Sequence, residues 1–192
     1  MIAIIGYDPE EGIRLSEKLT SLSIENTVTK NEKVICSADR VILPHCTNID
    51  KVSKKLQILN LNTVVKMIKK PVLGIMSGGC LMGEAVTRDK LPALGFFPGQ
   101  FCHDSNPINA ECLELKWKPA DEDPPFFQNN IVLKNITCKP VGNKSEPNGF
   151  YYKLNGTDYP AILKSKRNLA IFIDLLETGA YGDDLLIYFN QL

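Results

Sequence analysis

The sequence predicts an α/β chain: a mostly parallel sheet flanked by helices, with antiparallel strands added in its second half. Two observations carry this. Up to Gly99, short apolar runs alternate with segments patterned at helical spacing, and strands separated by helices pair in parallel through crossovers. Residues 71–84, Pro-Val-Leu-Gly-Ile-Met-Ser-Gly-Gly-Cys-Leu-Met-Gly-Glu, then join an apolar run to a glycine cluster and a second apolar run. That is the pattern of a buried strand turning sharply into a helix.

Met1 to Ile5 reads as the first strand, and Gly6 to Gly12 as a turn-rich loop. The helix that follows directs Ile13, Leu15, Leu19 and Leu22 to the core and leaves Arg14, Glu17, Lys18 and Ser21 on a solvated face. Glu25 to Lys30 is an alternating strand with Val28 inward, and Asn31 to Ala38 is helical in part. Asp39 to Pro44 is a strand that ends at its proline, followed by the loop His45-Cys46-Thr47-Asn48. Ile49 to Lys70 is a helix in two pieces, broken near Asn60 to Asn62, with Val52, Leu56, Leu59, Val64, Val65 and Ile68 as its apolar stripe.

In the elbow at 71–84, Gly74 and Gly78 relieve backbone crowding, and Cys80, Leu81 and Glu84 follow at helical spacing. Beyond Gly99 prolines and asparagines concentrate. The runs Cys112 to Lys118, with Trp117, and Ile131 to Cys138 read as antiparallel strands between long loops, and Glu122 to Pro125 and Gly142 to Gly149 as turn-rich. Phe150 to Tyr152, Ala161 to Leu163 and Leu169 to Ile173 restore the strand signal, and a last helix over Asp183 to Leu192 buries Leu185, Leu186 and Phe189.

Composition narrows the function. The 192 residues suffice for one domain, 1–192, with a full core. Equal numbers of basic and acidic residues, 22 of each, argue against nucleic acid or an anionic membrane as partner. With no basic leader ahead of Met-Ile-Ala-Ile-Ile-Gly and no membrane-length apolar stretch, a soluble, cytoplasmic protein is expected. The six cysteines are scattered without a Cys-x-x-Cys pair, so free thiols are expected, with no metal and no cofactor. Sequons at Asn135, Asn143 and Asn155 read as chance matches.

The elbow lifts Met76 above the sheet edge, where such corners carry a nucleophile, yet a thioether has no proton to lose. Other groups nearby are candidates for the role. Cys80 lies at the amino end of a helix but about one turn past the corner, which favours packing over catalysis. His45 and Cys46 are neighbours on a loop facing the site, and neighbouring side chains rarely point together. His103 beside Cys102 and Asp104 has poor ligand spacing. Ser77 is not central in a Gly-x-Ser-x-Gly frame.

The opening Ile-Ala-Ile-Ile-Gly-Tyr, Ala38 to Pro44, Leu61-Asn62, Pro71 to Ile75, Leu94 to Gly99, Gly156 to Ile162 and Asn168 to Glu177 share order and spacing with a known family. The chain resembles the class I glutamine amidotransferases, most closely the glutaminase subunit of imidazole glycerol phosphate synthase from histidine biosynthesis. The resemblance implies a flavodoxin-like fold. It implies a Gly-x-Cys-x-Gly elbow, matched here by Gly74-Ile75-Met76-Ser77-Gly78, and a distal Phe-His-Pro-Glu, matched by Asp174-Leu175-Leu176-Glu177. Nucleophile and base are thus replaced by Met76 and Leu175, and only the carboxylate, Glu177, survives, as a leftover group exposed or bonded to an amide. The family's flexible Gly-Val-Gly oxyanion loop is replaced by His45-Cys46-Thr47, and its glutamine-contacting Gln by Cys80.

These departures imply an amidotransferase-like protein that does not hydrolyse glutamine and acts by binding. Its partner is then a synthase subunit resembling a (β/α)8 cyclase barrel, or a small molecule in a vestigial pocket lined by His45, Cys46, Thr47, Ser77, Gly78 and Cys80. Two alternatives stand beside this. One is an enzyme with a relocated thiol, Cys46 or Cys80; the other is a regulatory domain resembling the amino-terminal domain of biotin protein ligases, suggested by Gly-Ile-Met-Ser-Gly-Gly followed by Phe-Phe-Pro-Gly.

Overall fold

The computed structural model describes residues 1–86, 93–113, 116–118, 131–141, 149–154 and 157–192, with side chains described outside 102–148 and 152–158. The first half alternates strand and helix as β1 (Ile2–Ile5), α1 (Pro9–Ser21), β2 (Asn26–Thr29), α2 (Glu32–Ser37) and β3 (Arg40–Leu43). It continues with α3 (Ile49–Ile58), α4 (Leu61–Met67), β4 (Val72–Ile75) and the one-turn α5 (Ser77–Cys80). The second half adds β5 (Gln100–Leu113), β6 (Lys116–Lys118), β7 (Ile131–Val141), β8 (Gly149–Leu154), β9 (Thr157–Ser165) and β10 (Asn168–Ile171). A 3₁₀ turn (Leu175–Glu177) and α6 (Ala180–Phe189) close the chain.

The main sheet has eight strands in the order β2-β1-β3-β4-β10-β9-β8-β6. Pairing is parallel from β2 through β10 and antiparallel from β10 through β6. β5 and β7 form a separate antiparallel ribbon. Flavodoxin-like order thus occupies the half built by crossovers, and hairpin-type pairing the half rich in turns.

Side chains alternate between two cores, as period-two strands require. Ala3, Ile5, Val41 and Leu43 face Ile35 of α2, Val52 and Leu56 of α3 and Val64 of α4. Ile2, Ile4, Leu73 and Ile171 face Leu15 and Leu19 of α1 and Leu185, Leu186 and Phe189 of α6. Capping sets the helix starts. The side chains of Asp8, Asn31 and Asn48 accept backbone N–H groups at the openings of α1, α2 and α3, and Pro9 stands in the first turn of α1. Asn60, at φ 54°, separates α3 from α4.

Three expectations need correction. Ile13 is 55% exposed rather than core-facing, because it lies on the flank of α1 beyond the sheet edge. Leu59, the C-cap of α3, is 43% exposed where that helix ends. Glu84 does not continue the elbow helix: α5 stops at Cys80, and the Glu84 N–H turns away to the Gly99 carbonyl. Among the described residues no helix is long and apolar enough to cross a membrane. The side chains of Trp117, Cys102, His103, Asp104, Cys112 and Cys138, the sequons and the loops around Glu122 and Gly142 lie outside the described residues.

Both glycines of the elbow are sterically required. A Cβ on Gly74 would sit 2.5 Å from the Gly78 carbonyl oxygen, and one on Gly78 would sit 2.1 Å from the Leu43 carbonyl oxygen. Neither obstacle is a movable side-chain tip. Gly78→Ala is therefore expected to lower stability by about 3 kcal/mol in urea denaturation, the upper range of overpacking.

Candidate functional site

Parallel strands place their carboxyl ends together, and the loops leaving β1, β3, β4 and β10 form one cleft there. Its floor is Met76. The residue adopts φ 51°, ψ −114°, a sparsely populated conformation for a residue with a Cβ, and its N–H donates to the Ile171 carbonyl at 2.6 Å. The corner that presents a nucleophile is thus fully formed around a thioether, 7% exposed and joined to the second core.

Ser77, the next residue, is the polar centre. Its Oγ accepts the Cys46 N–H at 2.7 Å and lies 2.9 Å from His45 Nδ1, 3.0 Å from the Cys46 carbonyl oxygen and 3.2 Å from Cys46 Sγ. The hydroxyl is fully buried, so it acts as a knot tying the loop after β3 to the elbow. This arrangement also engages a backbone N–H of that loop internally. His45 and Cys46 therefore do converge, but on Ser77.

The electrostatics oppose nucleophilic use of this cluster. Burial pushes the Cys46 thiol up to about 12, only partly offset by its hydrogen bond to Ser77, so the sulfur stays protonated near neutral pH. Burial likewise holds His45 below its ordinary pKa, against the raising effect of Asp174 and Asp8. Cys80 is fully buried in the core on the opposite face of the sheet from Met76. Gly78 contributes only its close backbone approach, and Thr47 sits at the surface, its N–H 3.4 Å from Asp8 Oδ2.

Leu175 is buried in the second core, while Glu177 accepts a 2.7 Å hydrogen bond from Arg14 Nη2. Its partner is thus a guanidinium, neither an amide nor solvent alone. Arg14 also lies 3.9 Å from both Asp174 and Glu11. The sequence reading put Arg14 on a solvated face and overlooked Asp174 and Tyr7. Asp174 caps the 3₁₀ turn and lines the cleft, and Tyr7 donates its hydroxyl to the Pro44 carbonyl at 2.5 Å. An aspartate just ahead of a short helical turn is a readable capping signal; Tyr7 had none.

Between Glu11, Pro44, His45, Met76, Asp174 and Leu176 the cleft leaves about 10 Å³ of space, at the threshold for one water molecule. Among the described residues no three His, Cys, Asp or Glu side chains gather to hold a metal ion.

The sheet order, the strained corner after β4 and the cleft above it define an α/β protein of glutamine amidotransferase fold. A solved glutamine amidotransferase superposes with a TM-score of 0.69 at 12% identity, over 99% of this chain and 97% of that one. PurLQS from Thermotoga maritima gives 0.65 at 12% identity over the same shares. No protein-family model matches the chain. The imidazole glycerol phosphate synthase subunit HisH of Staphylococcus aureus (strain Mu50) is 25% identical over 187 residues, 97% of this chain and 94% of its own length. The HisH subunit of Staphylococcus epidermidis is 22% identical over 189 residues. By sequence the chain is distantly similar to these HisH subunits, and by fold it is similar to the glutamine amidotransferases.

Two outcomes follow from this geometry. Ser77→Ala strands the buried Cys46 N–H and should cost about 1–3 kcal/mol in urea denaturation. His45 resists a proton that the unfolded chain accepts, so it adds stability that is full above the unfolded pKa of about 6.5 and declines as pH falls below it. Denaturation midpoints at pH 7 and pH 5 should therefore differ less in His45→Asn than in the parent.

Proposed function

We propose that this chain is a catalytically degenerate amidotransferase-like protein that does not hydrolyse glutamine and serves as a binding, scaffolding or regulatory subunit. The observation that carries the reading is Met76 at the strained corner. The scaffold holds its nucleophile position in place, and the residue there has no nucleophilic lone pair suited to an amide and no proton to exchange. Removing nucleophile and base together forfeits on the order of 10⁶ in rate, about 8 kcal/mol of barrier.

In this reading Met76, Leu175 and Glu177 are the vestige of a triad, and His45, Cys46, Thr47, Ser77, Gly78 and Cys80 surround it. Structural uses for several of these support it. Ser77 occupies a loop N–H, Leu175 fills the core, and Glu177 holds Arg14. The nearly filled cleft weighs against a small molecule as occupant, and the burial of Cys46 and Cys80 weighs against a relocated thiol. The relatives' description as a synthase subunit supports a protein partner, and the family resemblance gives that partner the character of a (β/α)8 cyclase barrel.

Incubation with glutamine should release no ammonia above a protein-free control. Turnover that Cys46→Ala or Cys80→Ala abolished would overturn the reading. Titrated with a barrel-type cyclase subunit encoded in the same genome, the protein should bind with a dissociation constant of about 10 µM or tighter; no binding in that range would remove the partner assignment and leave the loss of hydrolysis standing.

A further inference from the structure

The even charge of the whole chain conceals a local excess. The segment from Lys51 to Lys70 holds six lysines and no acidic residue, and most of it forms α3 and α4. Lys51, Lys54, Lys66 and Lys69 are exposed, and among the described residues none of these four makes an ion pair with a carboxylate. The same stretch gathers apolar surface. Ile58 is 83% exposed, Met67 72% and Leu59 43%, three of the five large apolar side chains exposed among the described residues. Lys54 and Lys55 precede Ile58 and Leu59 by one helical turn, so charge and apolar surface stand side by side.

Met67 also borders a groove of about 400 Å³ between α2 and α4, a ligand-sized space. Val64, Met67 and Ile68 line it from the α4 side, and Glu32 and Cys36 from α2. Lys70 sets its width. The ammonium donates to the carbonyls of Cys36 and Ala38, which ties the chain after α4 to the end of α2. The groove is thus formed before anything enters it, which lowers the ordering cost of binding.

We propose that this groove and its lysine rim dock an acidic segment of a protein partner, one that sets an apolar side chain between carboxylates. Charge selects the acidic partner, and shape selects a peptide. A flat lipid surface would meet Ile58 and Met67 but leave the groove unfilled, and residues 51–70 hold no aromatic side chain to anchor at a bilayer interface. Nor do they hold the aromatic or arginine side chains on which nucleic-acid bases stack.

The lining also orients the segment. Glu32 is its single carboxylate, so the α2 wall repels acidic groups and takes the apolar side chain, while the partner's carboxylates turn toward Lys66 and Lys69. Met67 suits the contact because an unbranched thioether reshapes to what it meets. Ala38 and Lys70 stand just ahead of β3 and β4, at the opposite end of the strands from the cleft. The inference is therefore independent of the function proposed above.

A fluorescent peptide of about fifteen residues, with leucine at helical spacing and glutamate between, should bind the full chain at low salt with a dissociation constant of about 100 µM or tighter, and at least about tenfold more weakly at about 0.5 M salt. Bound peptide should shield Cys36 from N-ethylmaleimide, read by mass spectrometry of the fragment that contains it. Met67→Asp, and Lys54→Glu combined with Lys66→Glu, alter exposed side chains, so circular dichroism should report a retained fold while each raises the dissociation constant at least about tenfold. Absence of binding at that concentration would overturn the proposal, as would equal binding of the peptide with glutamine in place of glutamate, or Cys36 labelled at its unprotected rate under saturation. Tighter binding to phosphatidylserine vesicles or to a single-stranded oligonucleotide would overturn it too, and so would self-association of the chain that Met67→Asp abolishes.

Discussion

The backbone of Gly78 lies so close to the carbonyls of Leu43 and Pro44 that no side chain fits between them. This contact draws the start of α5 against the carboxyl end of β3, and much of the site follows from it. Once the two segments touch, the Ser77 hydroxyl has nowhere to go but the loop at 45–47, where it meets the Cys46 N–H, two acceptors on Cys46 and the His45 ring nitrogen. A hydroxyl carries one proton, so it satisfies the Cys46 N–H outright and shares its own hydrogen between the carbonyl and the thiol of Cys46, while the His45 ring nitrogen accepts or donates according to its tautomer. The burial of Cys46, and through it the high pKa of its thiol, is a consequence of that closeness.

The parallel half of the sheet was legible because its signals are local and redundant: apolar runs, helical spacing and a proline at the end of β3. Ile13 and Leu59 misled for a common reason. Helical periodicity reports which residues share a stripe, but it does not report where the sheet stops or where a helix is cut short. Glu84 misled because four residues of helix suffice to turn the chain, after which the Gly99 carbonyl captures its N–H from a distant segment. At the site, the position of Met76 at the corner was readable from the glycines around it. The convergence on Ser77 was not, because a hydrogen bond across 31 residues leaves no pattern in the chain.

Arg14 shows how an ion pair can reassign a residue. Its polar face was read as solvent-directed, and by charge alone that is the better expectation for an exposed helix. The 3₁₀ turn brings Glu177 and Asp174 over α1, however, and Lys18 makes a parallel contact with Asp183 at 2.5 Å. Each pair is partly exposed and contributes little by itself. Together they fasten the segment after β10 onto α1, so Glu177 has a positional use in the fold.

Strain at Met76 completes the argument. A non-glycine residue in so sparse a backbone region costs on the order of 1–3 kcal/mol, and glycine at this position would relieve it. What offsets it is packing, since the Met76 side chain is almost wholly buried with Leu73, Ile75 and Ile171 in the second core, and its amide holds the Ile171 carbonyl. An unbranched thioether suits this use because it adapts its shape to an irregular space. The corner is a piece of the core, which accounts for the closure of the cleft above it.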